Sequence, residues 1–594
     1  MTTSNFLRPK DPSETRELIQ VALGQAKADL VIVNARLVNV YTGELLDDQA
    51  ISIKRQWLAY VGGDPQAGIG PRTEVIDAQG KTVIPGLIDG HTHMAGLYRA
   101  SEFLKFVIPG GTTTIITETM EISPVAGLAG VFDFLASLKD QPIKILGLAT
   151  ALVSISRAAP GITAETLQAL LEHDHIIGLG ETYWQAVLQE PDRLLPVLAQ
   201  TLAAGKLLEG HSAGASEKKL AAYVAAGISS CHEPINADQV LSRLRQGLHV
   251  MIREGSIRRD LEEIAKIKNQ GIDLRRLILV TDGISPADLQ AKGYMEFVVQ
   301  KAIDSGFDPL AAVQMATLNV AEHFGLDGLL GGIAPGRYAD LVIIPDIHTI
   351  DAQLVISNGR VIAEQGKLLV TPREHTFATQ SLHTVHLPQE LQPSDFIILP
   401  PDDAAQVRVR VIEMVTDLVT AELEMDWPVV DGQLRIDLAP DVLKVAAIDR
   451  SRVPGRIYVG LIKGFGLKSG AMAYSAAWDS SDIIVVGADD GDMAASVNRV
   501  RSLQGGAVVC ENGEILAELP LPVFGIISDL PLDTIARRLE EIKRTVAHLG
   551  VPFPDPLLTL ATLTGAAIPY LRICEEGLVN LKDGQTRGLF VSHS

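Results

Sequence analysis

The stretch Val83-Ile84-Pro85-Gly86-Leu87-Ile88-Asp89-Gly90-His91-Thr92-His93 decides how the rest of the chain is read. Its apolar, β-branched start predicts a strand, and on a strand side chains alternate, so His91 and His93 point the same way. Two imidazoles on one face begin a metal site, although such a pair alone is a weak signal. Beyond it, short β-branched runs alternate with helical stretches: Thr112–Thr117, Ile143–Leu148, Ile176–Gly180, Gly227–Ser230 and Leu277–Thr281. That alternation predicts parallel strands joined by crossover helices. The span 86–334 is 249 residues long, close to the ~250 of an eight-stranded β/α barrel.

Barrel active sites lie at the C-terminal ends of the strands, and the candidate ligands fall there. Glu181 follows Gly178-Leu179-Gly180, His211 follows Leu207-Leu208-Glu209-Gly210, His232 follows Gly227–Cys231, and Asp282 follows Leu277–Thr281. With His91 and His93 this makes four imidazoles and two carboxylates. Such a set can hold two divalent ions with Glu181 bridging them, and a water bound there ionises near neutral pH. Asp282 can bind metal and also carry a proton from that water to a leaving group. A second pair, His173-Asp174-His175, stands before a strand rather than after one and reads as a solvated helix end.

Outward from the barrel, Ser13–Ala28 reads as an amphipathic helix capped by Ser13, with Leu18, Ile19, Ala22 and Leu23 as its apolar stripe. Leu30–Val33, Arg36–Val40 and Ala50–Ile53 read as strands of a small β unit. After the barrel, Leu341–Ile344 and a hairpin with an Asn358-Gly359 turn repeat that texture. The two pieces, 1–85 and 335–385, are expected to pair into one small β-sandwich domain split by the barrel at 86–334. A polar stretch, Thr371–Ser394, reads as a linker to a further α/β domain at 398–594. The expected fold class is therefore α/β: an eight-stranded β/α barrel, a split β-sandwich domain and a C-terminal α/β domain.

Composition narrows the functions. At 594 residues the chain has room for three or four domains, or one large barrel with additions. A formal net charge of −21 argues against a nucleic-acid or anionic-membrane surface, both of which need a basic footprint. Three scattered cysteines, Cys231, Cys510 and Cys574, form no C-x-x-C pair. They predict a reducing, cytoplasmic setting and exclude the cysteine-zinc site of small base deaminases. Met1–Lys10 lacks the apolar core of a secretory signal, and no run of 18 apolar residues predicts a membrane span.

The motifs also carry a resemblance. Pro85–His93, Pro109–Thr114, Ala222–Ser230 followed by His232-Glu233, Val250–Ser256, Gln314–Asn319, Ile333–Gly336, Gly464–Ala471 and Leu519–Pro522 resemble the amidohydrolase superfamily and, within it, the adenine deaminases. The resemblance spans nearly the whole chain. It implies a metal-activated hydroxide that hydrolyses adenine to hypoxanthine and ammonia, with His91, His93, Glu181, His211, His232 and Asp282 at the metal site. Two divalent ions (iron, manganese or zinc), a small heterocyclic substrate and a homo-oligomer such as a dimer are implied with it. Glu181 and Asp282 are the catalytic candidates.

Departures cluster beside the expected pocket. Met94-Ala95-Gly96 replaces the family's Glu-Ser-Ser, Glu118-Thr119-Met120-Glu121 its Asp-Pro-His-Glu, Asp282-Gly283 its Asp-Asp, and Trp478-Asp479-Ser480-Ser481 its His-Asp-Ser-His. Unpaired buried donors are costly, so such changes alter which ring fits. Tyr98, Glu118, Glu121, Tyr183, Trp184 and Trp478 are candidate pocket residues, each of which core packing could equally explain. The alternative substrates are another C–N amide, a cyclic amide or a lactone. A binding protein without turnover is the non-enzymatic reading, and the complete ligand set speaks against it.

Overall fold

The computed structural model describes residues 7, 10–64, 66–151, 154–159, 161–401 and 403–591. Apart from Leu7 and Lys10, the segment read for a secretory signal lies outside them. The central body is built on eight parallel strands: β1 (Leu87–Thr92), β2 (Thr112–Thr117), β3 (Lys144–Ala149), β4 (Ile176–Tyr183), β5 (Leu207–His211), β6 (Ser230–Cys231), β7 (His249–Arg253) and β8 (Leu277–Val280). β1 to β5 form one ladder and β6 to β8 another. Backbone hydrogen bonds span both gaps: Ser229 N–H donates to Leu208 O at 2.9 Å, and Asp282 N–H donates to His91 O at 3.0 Å. The ring is thus closed, which leaves no exposed edge.

Strand parity sorts the core. On β7, Met251 packs with Ile88, Ile116, Leu146, Leu148, Ile278 and Val280 in one cluster, while Val250 and Ile252 pack with helix residues in another. This is the two-faced burial of a barrel covered by helices. Two strands break the alternation where it matters. Between Asp89 and Thr92, β1 carries one residue more than β2. Between Leu179 and Thr182, β4 carries one residue more than β5. Each bulge contains a glycine, Gly90 or Gly180, followed by a candidate ligand, and a bulge re-aims the side chain next to it.

The flanking sheet has nine strands drawn from both sides of the barrel. Thr82–Pro85 runs antiparallel to Leu341–Ile344, with Val83 opposite Ile343. The Asn358-Gly359 turn closes the hairpin Leu354–Ser357 with Arg360–Glu364, and both turn residues have positive φ, 51° and 73°, as a two-residue turn of this kind requires. The N-terminal helix is shorter than expected, Pro12–Ala22. Asp11, not Ser13, caps it: its carboxylate accepts the Ser13 N–H, and Glu14 returns the bond. Gly24, at φ 71°, ends it early. The expected split of Leu30–Val40 into two strands is instead one strand, Leu30–Asn39, bent at Asn34.

The stretch read as a linker is fastened to the barrel helix Ser123–Leu138. Arg373 donates to Lys139 O at 2.8 Å, and His375 Nε2 stands 2.8 Å from Asp133. The C-terminal region carries an eight-stranded sheet, antiparallel except where Gln406–Met414 runs parallel to Ile457–Lys463, and a three-stranded antiparallel sheet, Leu571–Cys574, Gly577–Asn580 and Gln585–Arg587. It rests on the strand-end side of the barrel: Ser528 N–H donates to Leu97 O at 2.9 Å, and Arg452 Nε to Pro124 O at 2.8 Å. Among the described residues, no helix is long and apolar enough to cross a membrane.

Candidate metal centre

Glu181 is the hub. Its Oε1 lies 3.1 Å from His93 Nε2, 3.3 Å from His91 Nε2 and 3.4 Å from His232 Nε2, and its Oε2 lies 3.0 Å from His211 Nδ1. Asp282 Oδ1 stands 3.3 Å from His91 Nε2 and 3.4 Å from His93 Nε2. The six residues expected from the sequence therefore meet in one place. They fall into two groups, each with its ligand atoms within 4.8 Å of one another: His91, His93, Glu181 and Asp282; and Glu181, His211 and His232. Glu181 belongs to both.

Local structure explains how they meet. The bulge at Gly90-His91 turns His91, and His93 just past the end of β1, to the rim, and the bulge at Gly180-Glu181 does the same for Glu181. Asp282 sits just past β8 at φ 64°, held by its N–H bond to His91 O. Beneath them Asp89 is fully buried and ties β1 to β8: its carboxylate accepts from Thr281 Oγ1 at 2.5 Å and Tyr294 Oη at 2.6 Å. Burial pushes Asp89 up to about 6 despite those donors.

The electrostatics suit cations. Burial would lower the imidazoles; facing carboxylates outweigh it at His91, His93 and His211, whereas burial and the neighbouring His91 hold His232 below its usual value, and Asp282 and Glu181 hold His91 up at about 10. Burial would likewise raise Asp282 and Glu181, yet His91 and His93 beside Asp282, and His232 and His211 beside Glu181, hold both well below the usual carboxylate range. His91 Nε2 is buried without a hydrogen-bond partner. A buried ring nitrogen left in this way is costly. Imidazole and carboxylate donors converging on it are the ligand set of a divalent ion, so the residues present fit one.

Three neighbours emerge only from the geometry. Arg253 donates to Glu233 Oε1 at 2.5 Å and to Asp282 Oδ2 at 3.3 Å. Glu233 also lies 3.3 Å from His232 and 3.6 Å from His211, and the Arg253 guanidinium with those rings holds it far below the usual range against the pull of burial. Asp479 reaches in from the C-terminal sheet, accepts from Tyr183 Oη at 3.2 Å, and is pushed by burial up to about 7. Glu233 and Arg253 lay inside quoted motifs, but no spacing rule pairs them.

The expected pocket residues divide. Glu121 is bound to His93 Nδ1. Glu118 is fully buried, accepts the Glu181 N–H at 3.1 Å, and is pushed by burial up to about 8. Tyr183 packs edge-on against His211, ring centroids 5.0 Å apart. Trp184 donates Nε1–H to Ala213 O at 2.7 Å, and Tyr98 Oη to Ile284 O at 2.9 Å, so their polar atoms are spent within the fold. Trp478 is half-buried beside Gly565. His173 and His175 stay away from the site, as expected, but His175 is not solvated: it is buried at the N-terminal end of β4, with Nδ1 3.1 Å from Ile145 O.

Residues 82–364 match the model of the amidohydrolase family, and residues 417–585 match that of the adenine deaminase C-terminal domain. An adenine deaminase of Moorella thermoacetica is 39% identical over 95% of this chain and 96% of its own length. The chain belongs to the adenine deaminase family. An adenine deaminase of a Ruegeria species is 37% identical over 98% of both chains. Among solved structures, an enamidase of the amidohydrolase superfamily is 21% identical, with a TM-score of 0.42 over 59% of this chain and 98% of that one. As a family member the chain is a hydrolase of C–N bonds other than peptide bonds that takes a small-molecule substrate. Its candidate site supports a divalent metal.

Proposed function

We propose that the chain hydrolyses adenine to hypoxanthine and ammonia at a centre of two divalent ions. The observation that carries this is the sharing of Glu181 between two groups of candidate ligands. His91, His93, Glu181 and Asp282 would hold one ion, and Glu181, His211 and His232 the other. Imidazole and carboxylate donors suit iron, manganese or zinc. Divalent ions there supply Lewis acidity, which makes water acidic near neutral pH.

The chain's own groups do the rest. Arg253 grips Asp282 Oδ2 and leaves Oδ1 facing the rim. From there Asp282 takes a proton as water adds to C6 of the purine. When the C6–N bond breaks, the same proton goes to the departing amine, which leaves as ammonia; the second water proton stays on the product. The 100-fold or greater gain usual for a placed acid–base group is what Asp282 contributes. Glu118, Glu121, Tyr183, Trp184 and Trp478 are proposed to shape the substrate's surroundings, the aromatic residues by ring surface, since the polar atoms of Tyr183 and Trp184 are engaged. Three unpaired cysteines support a cytoplasmic setting. A homo-oligomer rests on the family resemblance alone.

The test is to strip the protein with a chelator, reload it with Fe2+, Mn2+ or Zn2+, and follow ammonia release from adenine. Release that depends on metal supports the proposal. No release from adenine, with hydrolysis of a cyclic amide or lactone instead, would move the substrate while keeping the centre.

A further inference from the structure

Tyr183 and Asp479 are 296 residues apart in sequence and adjacent in space. Tyr183 closes β4, two residues after Glu181, and its ring stands edge-on to His211. Its hydroxyl donates to the Asp479 carboxylate, 3.2 Å from Oδ1 and 3.3 Å from Oδ2. Asp479 Oδ2 also accepts the Ala566 N–H at 2.8 Å. Both side chains are buried. Tyr183 packs with Ile155, Ala186 and Leu194 of the barrel and with Ala566, Ala567, Cys574 and Val579 of the C-terminal region. So the far region lays a carboxylate at the end of a side chain that braces one imidazole of the rim. Asp479 sits at φ 53°, a conformation that asparagine and aspartate tolerate better than most residues.

Resting on the two-ion reading above, we propose that Asp479 is a positioning residue for the His211 half of the centre, acting through the Tyr183 hydroxyl. The Asp479 carboxylate fixes the phenol. The phenol ring fixes the tilt of His211, whose Nδ1 must keep its 3.0 Å approach to Glu181 Oε2. Outer partners that orient ligating groups are typically worth 10- to 100-fold in metal affinity. The His91, His93 and Asp282 half has its own supports, Asp89, Glu121 and Arg253, and does not touch this link.

The experiment titrates Mn2+ into the chelator-stripped full-length chain by calorimetry. The parent is expected to take up two ions. Tyr183→Phe keeps the ring and cuts the link; Asp479→Ala cuts it from the other side. Both are expected to bind the first ion as the parent does and the second about 10- to 100-fold more weakly. Asp479→Asn, whose amide can still serve both Tyr183 and Ala566, is expected to restore the second affinity. Parental binding by both Tyr183→Phe and Asp479→Ala would overturn the proposal. So would Asp479→Asn as weak as Asp479→Ala, since charge and not orientation would then be at work. A parent that takes up no manganese would sink the two-ion reading, and this inference with it, by a result visible without any variant.

Discussion

The two ends of the barrel both gather histidines and carboxylates, and they use them differently. At the rim, four imidazoles and Asp282 crowd a single carboxylate, Glu181, and His91 Nε2 makes no hydrogen bond. At the floor, such groups meet near neighbours one at a time. His323 Nε2 pairs with Glu209 at 2.8 Å, Lys144 Nζ with Asp340 at 2.8 Å, and His175 Nδ1 lies 3.1 Å from a backbone carbonyl. Particular rings of the two ends also differ in protonation. Rim carboxylates hold His91 up at about 10. At the floor, burial with Lys139 nearby takes His173 down to about 4, and burial with His323 and Arg276 takes His249 down to about 3. Residue type therefore does not separate a site from a structural cluster. Convergence on one point does.

The sharpest break in that comparison is Glu181→Gln against Glu209→Gln. The first removes the charge both ligand groups share, and is expected to lower kcat by about three orders of magnitude or more and to leave less than one metal per chain by elemental analysis. The second, at the floor, should leave metal content at the parental value. If Glu181→Gln kept two ions, the rim would be no different in kind from the floor. Asp282→Asn comes next. Much of the metal should stay, because His91, His93 and Glu181 remain, while kcat falls by about 10^2 to 10^4 for loss of the proton carrier. Steady-state ammonia release, normalised to bound metal, separates the two effects.

His323→Ala tests the floor from its own side. It leaves Glu209 buried with only the hydroxyls of Ser229 and Ser230 as side-chain donors. Removing one partner of a buried pair costs about 3 kcal/mol. Denaturant unfolding should register that loss with metal uptake unchanged. Lost metal with unchanged stability would reverse the roles assigned to the two ends.

Much of the rim was legible because its signals are local. The apolar runs before Glu181, His211, His232 and Asp282 announce strands, and barrel geometry then sends their ends to one side. What was not legible depends on register or on distance. Simple alternation pairs His91 with His93 but does not reveal that an extra residue at Gly90-His91 resets their phase relative to Ile88. The only trace was the glycine inside each of these two bulges, Gly90 and Gly180. The grip of Arg253 on Asp282 and the reach of Asp479 to Tyr183 join segments with no shared pattern. The cap of the first helix was misplaced for a simpler reason: Asp11-Pro12-Ser13 offers two capping side chains, and a proline at the first helical position favours the aspartate before it.

The smallest expected effect is a pH slope, and it isolates the floor. An imidazole in the unfolded chain titrates near 6.5, whereas burial, His323 and Arg276 hold His249 at about 3 in the fold. Between those values the unfolded chain binds a proton that the folded chain refuses. Stability from this ring is therefore full above about pH 6.5 and is lost as pH falls towards 3. His249→Gln removes the titration, so its melting temperature should fall less steeply than the parent's between pH 6.5 and 4. Rim histidines titrate in both proteins alike and drop out of the difference. Parallel slopes for the two proteins would mean that His249 takes up its proton at the floor as freely as in water, and that the contrast between the two ends is not one of charge.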